Sequence, residues 1–150
     1  MNDSDASLGG ADFKVIVCST NIRKPADRTW TAIGSYADAG RFLHVPSRLV
    51  AGDGDIGSVR QIGDSILEVM VGRSLHSYSY AQTRGPMASV AYHGCVSVIS
   101  RAPTMSTLVY TLVYDQAIMN EEKRVSEAVR IQARFDGAVA EMKRFAEESA

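Results

Sequence analysis

Long apolar runs are missing from this sequence. No stretch of its 150 residues approaches the roughly 20 apolar residues that span a bilayer, so membrane insertion is not expected. Basic clusters are missing too. The formal net charge is -1 and the Lys and Arg residues are scattered, which gives nucleic acid or an anionic membrane no electrostatic footing. Cysteine is scarce. Cys18 and Cys95 each sit in an apolar, strand-like run without a CxxC or Cys/His neighbour, the pattern of buried thiols in a reducing compartment rather than of a disulfide or a catalytic thiol. The three histidines, His44, His76 and His93, have no HExxH-type spacing, and no metal site is expected. No serine, histidine and acid are spaced as a nucleophile motif. GDGDIG (52–57) lacks the Lys and the following helix of a phosphate loop. Chemistry without a cofactor, or plain binding, is what remains. The opening MNDSDASLGGAD lacks the basic end and apolar run of a signal peptide. Residues 1–12 are read as a disordered lead-in, and the expected compartment is cytoplasmic.

What is present is one domain, over residues 13–150. An apolar share of 45% and a charged share of 22% are those of an ordinary globular chain long enough to bury a core. FKVIVCSTNI (13–22) is rich in β-branched residues and reads as a strand. In the stretch after it, Trp30, Ile33 and Tyr36 recur at helical spacing, while Gly34 and Gly40 divide it into two short helices. From Ser47 to Asp115, six runs of strand character alternate with turn residues, as in an antiparallel meander. The tail from Asn120 is a long helix, with Asn120 as its cap and Glu121 and Glu122 in the first turn. Val125, Ala128, Ile131 or Gln132, Phe135, Val139, Met142 and Phe145 form a single apolar stripe, so one face packs on the sheet. Gly137 lies mid-helix, which suggests a close approach there. The arrangement is α+β, with helices gathered on one face of the sheet.

Two strands carry isolated charges, Arg60 in SVRQI and Glu68 in SILEV. A lone charge on a buried strand face is costly, whereas a paired or wet one is tolerable. Strand side chains alternate faces. Tyr110 shares a face with Leu112 and Tyr114, Tyr92 with Gly94 and Val96, and Tyr78 with His76 and Tyr80. The small residues on the opposite faces make the tyrosines inward-pointing. Glu68 shares the face of Ile66 and Met70. A three-residue loop, Gly72-Arg73-Ser74, pairs Glu68 with Tyr78 and brings both inside. A two-residue Gly72-Arg73 loop pairs Glu68 with Ser77 and separates it from the tyrosines, because a one-residue slip flips every side chain. The first register is expected.

The order and spacing of several short motifs resemble the START-like, or SRPBCC, superfamily, and within it the bacterial polyketide cyclase/dehydrase-like group. The motifs are Pro25-Ala26-Asp27-Arg28 with Trp30, Gly57-Ser58-Val59-Arg60, Glu68, Tyr78-Ser79-Tyr80, Tyr92, and Gly137-Ala138-Val139 with Met142-Lys143. The resemblance covers about Phe13 to Phe145. Thr29 departs from the usual apolar residue before Trp30, and Tyr110 holds a position often taken by Trp. The resemblance implies a helix-grip fold: a curved seven-stranded antiparallel sheet around the long C-terminal helix, two short helices closing one end, and a central cavity. The layout is similar to that of the plant abscisic acid receptors, in which Arg60, Glu68 and Tyr92 have counterparts among the cavity polar residues. Gly94 stands where those receptors carry a hydroxyl side chain.

The partner the resemblance implies is a hydrophobic or aromatic small molecule. A homodimer is left open. For an enzyme of polyketide cyclase/dehydrase type, Glu68 or His44 would move a proton, and Arg60 and Tyr92 would polarise a carbonyl or hold an enolate. His44 is included because in this fold its region lies near the cavity. Ile62, Tyr78, Tyr80, Tyr110, Phe135 and Val139 are the expected ligand-contacting wall. The rival reading is a non-catalytic carrier or sensor of lipids or aromatics, in which Arg60 and Glu68 are passive anchors. A third is an interaction module whose cavity is vestigial.

Overall fold

The computed structural model describes residues 10–150. Most of the expected lead-in therefore lies outside the described residues. Its last residue, Asp12, is held in place: its amide donates to the Asp115 carboxylate at 3.0 Å, and its own carboxylate meets Arg124 at 3.2 Å.

Strand β1 (Phe13–Ile22) leads into helix α1 (Ala26–Ile33) and a 3₁₀ helix (Tyr36–Phe42). Six strands follow: β2 (Ser47–Ala51), β3 (Val59–Ile62), β4 (Ile66–Ser74), β5 (Ser77–Arg84), β6 (His93–Ala102) and β7 (Met105–Asp115). The chain ends in helix α2 (Glu121–Glu148). The sheet order is β1-β7-β6-β5-β4-β3-β2, with every neighbouring pair antiparallel. This is the expected α+β helix-grip arrangement.

Local chemistry accounts for the helix starts and stops. Pro25 precedes α1 with an extended backbone, and Gly34 closes the helix by donating to the Trp30 carbonyl. Asn120 caps α2, its side chain accepting from the Lys123 amide at 2.8 Å. Thr29, the departure before Trp30, is fully buried and exchanges a 2.9 Å hydrogen bond with Ser106, which donates in turn to the Lys24 carbonyl. A polar side chain is accommodated there because the fold supplies it with a partner.

The core lies between the sheet's concave face and α2. Ile131, Phe135, Ala138, Val139, Met142 and Ala146 bury the helix's inner stripe against Ile16, Leu108, Tyr110 and Leu112, among others. Burying a large apolar side chain contributes about 1.5–3 kcal/mol. The stripe's start differs from the expectation. Val125 is exposed and Glu127 is buried in the first turns, because the drift of a 3.6-residue helix carries the early apolar positions past the sheet edge. Gly137 is exposed as well. A Cβ built there would meet no atom, so no close approach explains it.

The β4–β5 hairpin follows neither expected register. Both strands run further, to Ser74 and from Ser77, and the turn is Leu75-His76. Glu68 stands opposite Gln82, not Tyr78 or Ser77. A bulge at Val71 then shifts the pairing, so that Met70 faces Tyr80 and Gly72 faces Ser79. Glu68, Met70, Tyr78, Tyr80 and Gln82 all remain buried. The strand before Gly94 is also shorter than its composition suggests: Ala88–Val90 forms a 3₁₀ turn, Ala91 takes a left-handed conformation, and β6 begins at His93.

Candidate functional site: a polar chamber between sheet and helix

Gly63, left-handed at φ 62°, opens the short turn joining β3 to β4 and sets their register. That register places Arg60 directly opposite Glu68, and Ser58, Arg60 and Ile62 all turn inward. The two charges meet in the interior. Arg60 Nε lies 3.0 Å and Nη2 2.9 Å from the same carboxylate oxygen, Glu68 Oε1. Arg60 Nη1 donates to the Tyr36 carbonyl at 3.2 Å and to the Tyr78 hydroxyl at 3.1 Å. The guanidinium carbon also lies 4.2 Å from the centre of the Tyr36 ring and 4.5 Å from that of Tyr80, so two aromatic faces bracket the cation. Burial opposes its charge, but Tyr78 and Glu68 more than offset this, and the guanidinium stays protonated. Four of the five guanidinium N–H donors of Arg60 thus go to protein partners.

The second carboxylate oxygen is less occupied. Its contact is the Gln82 amide at 3.4 Å. Gln82 in turn accepts from the backbone N–H of Met87 at 2.8 Å, in the turn that borders the chamber mouth. The buried ion pair is therefore linked through one carboxamide to the backbone at the rim.

Next to this pair lies a group of three phenols. Tyr80 Oη is 2.8 Å from Tyr92 Oη and 2.8 Å from Tyr110 Oη. Burial raises all three pKa values, so each phenol is neutral and a potential donor at physiological pH. At Tyr92, the charges of Arg60 and Arg134 pull the other way without reversing the shift. Three hydroxyls bring three protons, and the two bonds between them use two. One proton is left for another acceptor.

These groups border a cavity of about 220 Å³, lined by Arg60, Ile62, Glu68, Tyr80, Gln82, Tyr92, Tyr110 and Phe135, with Leu43, Pro86, Met87, Ile131, Arg130 and Arg134 among the remaining wall and rim residues. The Tyr110 and Phe135 rings are 4.9 Å apart. Of the residues singled out from the sequence, Arg60, Glu68, Tyr92, Ile62, Tyr80, Tyr110 and Phe135 converge on this one chamber.

Three do not. His44 is exposed, takes a left-handed backbone (φ 57°), and faces Glu141 on the outer side of α2 at 3.9 Å. It is not among the residues that line the chamber, although its neighbour Leu43 is. Tyr78 lies behind Arg60 and does not line this chamber. Val139 is buried in the core but is not part of the chamber wall. His93 is exposed, and His76 occupies the β4–β5 turn.

Sequence reasoning missed Tyr36, Gln82 and the rim arginines Arg130 and Arg134. Gln82 continues the inward alternation of Tyr78 and Tyr80, and that periodicity was sufficient to find it. The others depend on which elements pack together. Among the described residues, no three His, Cys, Asp or Glu side chains converge as a metal site, and no helix is long and apolar enough to cross a membrane.

No protein-family model matches the sequence, and no curated protein matches it. Solved structures do match in shape. Norcoclaurine synthase from Thalictrum flavum, in complex with dopamine and hydroxybenzaldehyde, aligns over 97% of this chain and 93% of its own at 16% identity, with a TM-score of 0.68. A protein from Nitrosospira multiformis aligns over 86% and 96% at 15% identity, TM-score 0.68. Ara h 8.0201 aligns over 87% and 98% at 12% identity, TM-score 0.62. At such identities the likeness establishes the fold alone, the helix-grip arrangement described above, and leaves activity to be argued from the site.

Proposed function

We propose that the chain takes up a small aromatic or otherwise apolar molecule bearing a carbonyl or hydroxyl group, and holds it in the chamber between sheet and helix. The observation that carries this reading is the neutral phenol triad with one unspent proton, set in a wall that also offers Ile62, Ile131 and Phe135. A pocket that orients a ligand is mostly apolar with a few placed polar groups. The norcoclaurine synthase complex, whose ligands are a catechol amine and an aromatic aldehyde, lends the shape of the ligand by analogy. At about 220 Å³ the chamber falls below the ~300–1,000 Å³ of drug-sized sites, which favours a monocyclic ligand or a short chain.

Titration calorimetry with 4-hydroxyacetophenone and with decanoate tests the reading. Heat from the ketone, weakened severalfold in Tyr110→Phe, supports it. Binding of neither compound sinks it.

A second reading, a proton-transfer enzyme of polyketide cyclase/dehydrase type, is favoured by the lightly engaged Glu68 Oε2 at the chamber wall. Arg60 would hold that carboxylate in place, and the free phenol proton would stabilise charge developing on a carbonyl oxygen. In that case Glu68→Gln abolishes turnover of an aromatic keto substrate and leaves its binding intact. A carrier or sensor loses affinity alone.

A further inference from the structure

Helix α2 carries six basic side chains, and among the described residues five of them face a carboxylate: Lys123 and Arg130 face Glu127, Arg124 faces Asp12, Lys143 faces Glu147, and Arg144 faces Glu141 and Glu148. Arg134 is the exception. Its neighbours one helical turn away are Arg130, Ile131, Gly137 and Ala138, none of them an acid. Helical residues three and four apart are those that meet, so the helix itself offers Arg134 no counter-ion. Instead it sets Arg130 beside it, a like-charge pairing that an isolated helix disfavours.

The same side chain lines the chamber, and its charge is felt at the Tyr92 phenol. The other charges at the chamber are accounted for. Arg60 and Glu68 neutralise each other in the interior, and Arg130 is held at 2.6 Å by Glu127. Among the described residues, no carboxylate compensates the Arg134 charge at the rim, which sits on a planar guanidinium that can grip two oxygens at once.

We infer that the ligand of this chamber is a small carboxylic acid whose carboxylate is held by Arg134 at the mouth, with its apolar body against Ile62, Ile131 and Phe135 and a hydroxyl or keto oxygen at its far end meeting the Tyr80–Tyr92–Tyr110 hydroxyls. This rests on the chamber reading above and narrows it from aromatic or apolar molecules in general to amphipathic anions of limited size. The chamber's dimensions favour a monocyclic acid over a long fatty acid. Arg134 is exposed and replaceable without disturbing the core, which makes it a clean test of ligand class.

The probes are 3-(4-hydroxyphenyl)propanoate and its neutral counterpart 3-(4-hydroxyphenyl)propanamide, titrated calorimetrically into wild type and Arg134→Gln, with melting temperatures confirming that both variants are folded. The acid is expected to bind wild type roughly tenfold more tightly than the amide, the scale of one charge-assisted contact at a partly exposed site. In Arg134→Gln that preference disappears, because the affinity of the acid falls to about that of the amide. Equal binding of acid and amide by wild type overturns the carboxylate inference and leaves the chamber reading standing. A preference that survives in Arg134→Gln overturns the assignment to Arg134 and moves the anion elsewhere. If neither probe binds, but decanoate does, the monocyclic acid is overturned in favour of a chain lipid. If none of the three binds, both readings fall together.

Discussion

Replacing Arg60 with Met strands the Glu68 carboxylate. Glu68 loses both guanidinium contacts to Oε1 and keeps the 3.4 Å approach of Gln82. Tyr78 loses the donor to its hydroxyl, and the Tyr36 carbonyl loses another. Arg60 is 1% exposed and Glu68 5%, so water does not readily replace these contacts. Breaking a buried pair from one side costs about 3–5 kcal/mol. In a chain of this length that lowers the melting temperature by roughly 8–16 °C. Glu68→Leu should cost a similar amount by stranding the guanidinium. The double variant Arg60→Met/Glu68→Leu carries no buried charge and should return to within about 1 kcal/mol of wild type, since apolar replacement of a whole buried pair is often neutral or better. Urea denaturation of the four proteins gives the coupling energy, which should be several kcal/mol in favour of the pair. Single variants costing under about 1 kcal/mol each, the range of exposed pairs, would refute the desolvated-pair reasoning. So would a double variant that costs the sum of the singles.

Gly94 lies against the Tyr80 ring, and a Cβ there would come within 2.3 Å of it. Gly94→Ala should destabilise by about 1–3 kcal/mol through overpacking and should shift near-ultraviolet tyrosine dichroism. Tyr36, Tyr80, Tyr92 and Tyr110 have raised pKa values, chiefly from burial. A raised folded pKa means that the stability is complete below the unfolded value of about 10 and is lost as pH rises beyond it. Absorbance at 295 nm should therefore show these phenols ionising only as the protein unfolds, and a native step near the ordinary value would contradict their burial. Glu127 has a lowered pKa, first through its hydrogen bond to Arg130. Its contribution is present above the unfolded carboxylate value of about 4.3 and is lost as pH falls below it. Glu127→Gln should therefore be less stable than wild type at neutral pH, with the gap closing in acid; a gap independent of pH removes the ion pair as its cause.

The fold was legible because its signals are local and redundant. Alternating β-branched runs mark the strands, Asn120 marks the start of α2, and Pro25 and Gly34 bracket α1. The shared chamber of Arg60, Glu68, Tyr80, Tyr92 and Tyr110 was legible from strand alternation together with the family resemblance. The register of β4 on β5 was not. The bulge at Val71 reflects the pairing of two long strands, and GRS reads as a turn although Gly72, Arg73 and Ser74 lie in β4. Glu68 and the tyrosines share a face through that bulge and not through the loop length considered from the sequence. His44 lies outside the chamber lining for a related reason. Its proximity to the chamber was inferred from its region of the fold, whereas its direction depends on one left-handed residue. Tyr36 and Arg134 become visible only when the 3₁₀ helix and α2 are packed on the sheet.

The phenol triad has a consequence for selectivity. A row of three hydroxyls joined by two bonds can run in either direction, Tyr92 to Tyr80 to Tyr110 or the reverse, with no heavy atom moving. Whichever end is the last donor offers a proton, and the opposite end offers a lone pair. A ketone oxygen can only accept at that point, whereas the alcohol made by reducing it can also donate. By reversing its protons, the row satisfies both. The chamber should therefore be nearly blind to the oxidation level of the oxygen it holds there, and its discrimination must come from the shape and charge of the rest of the molecule.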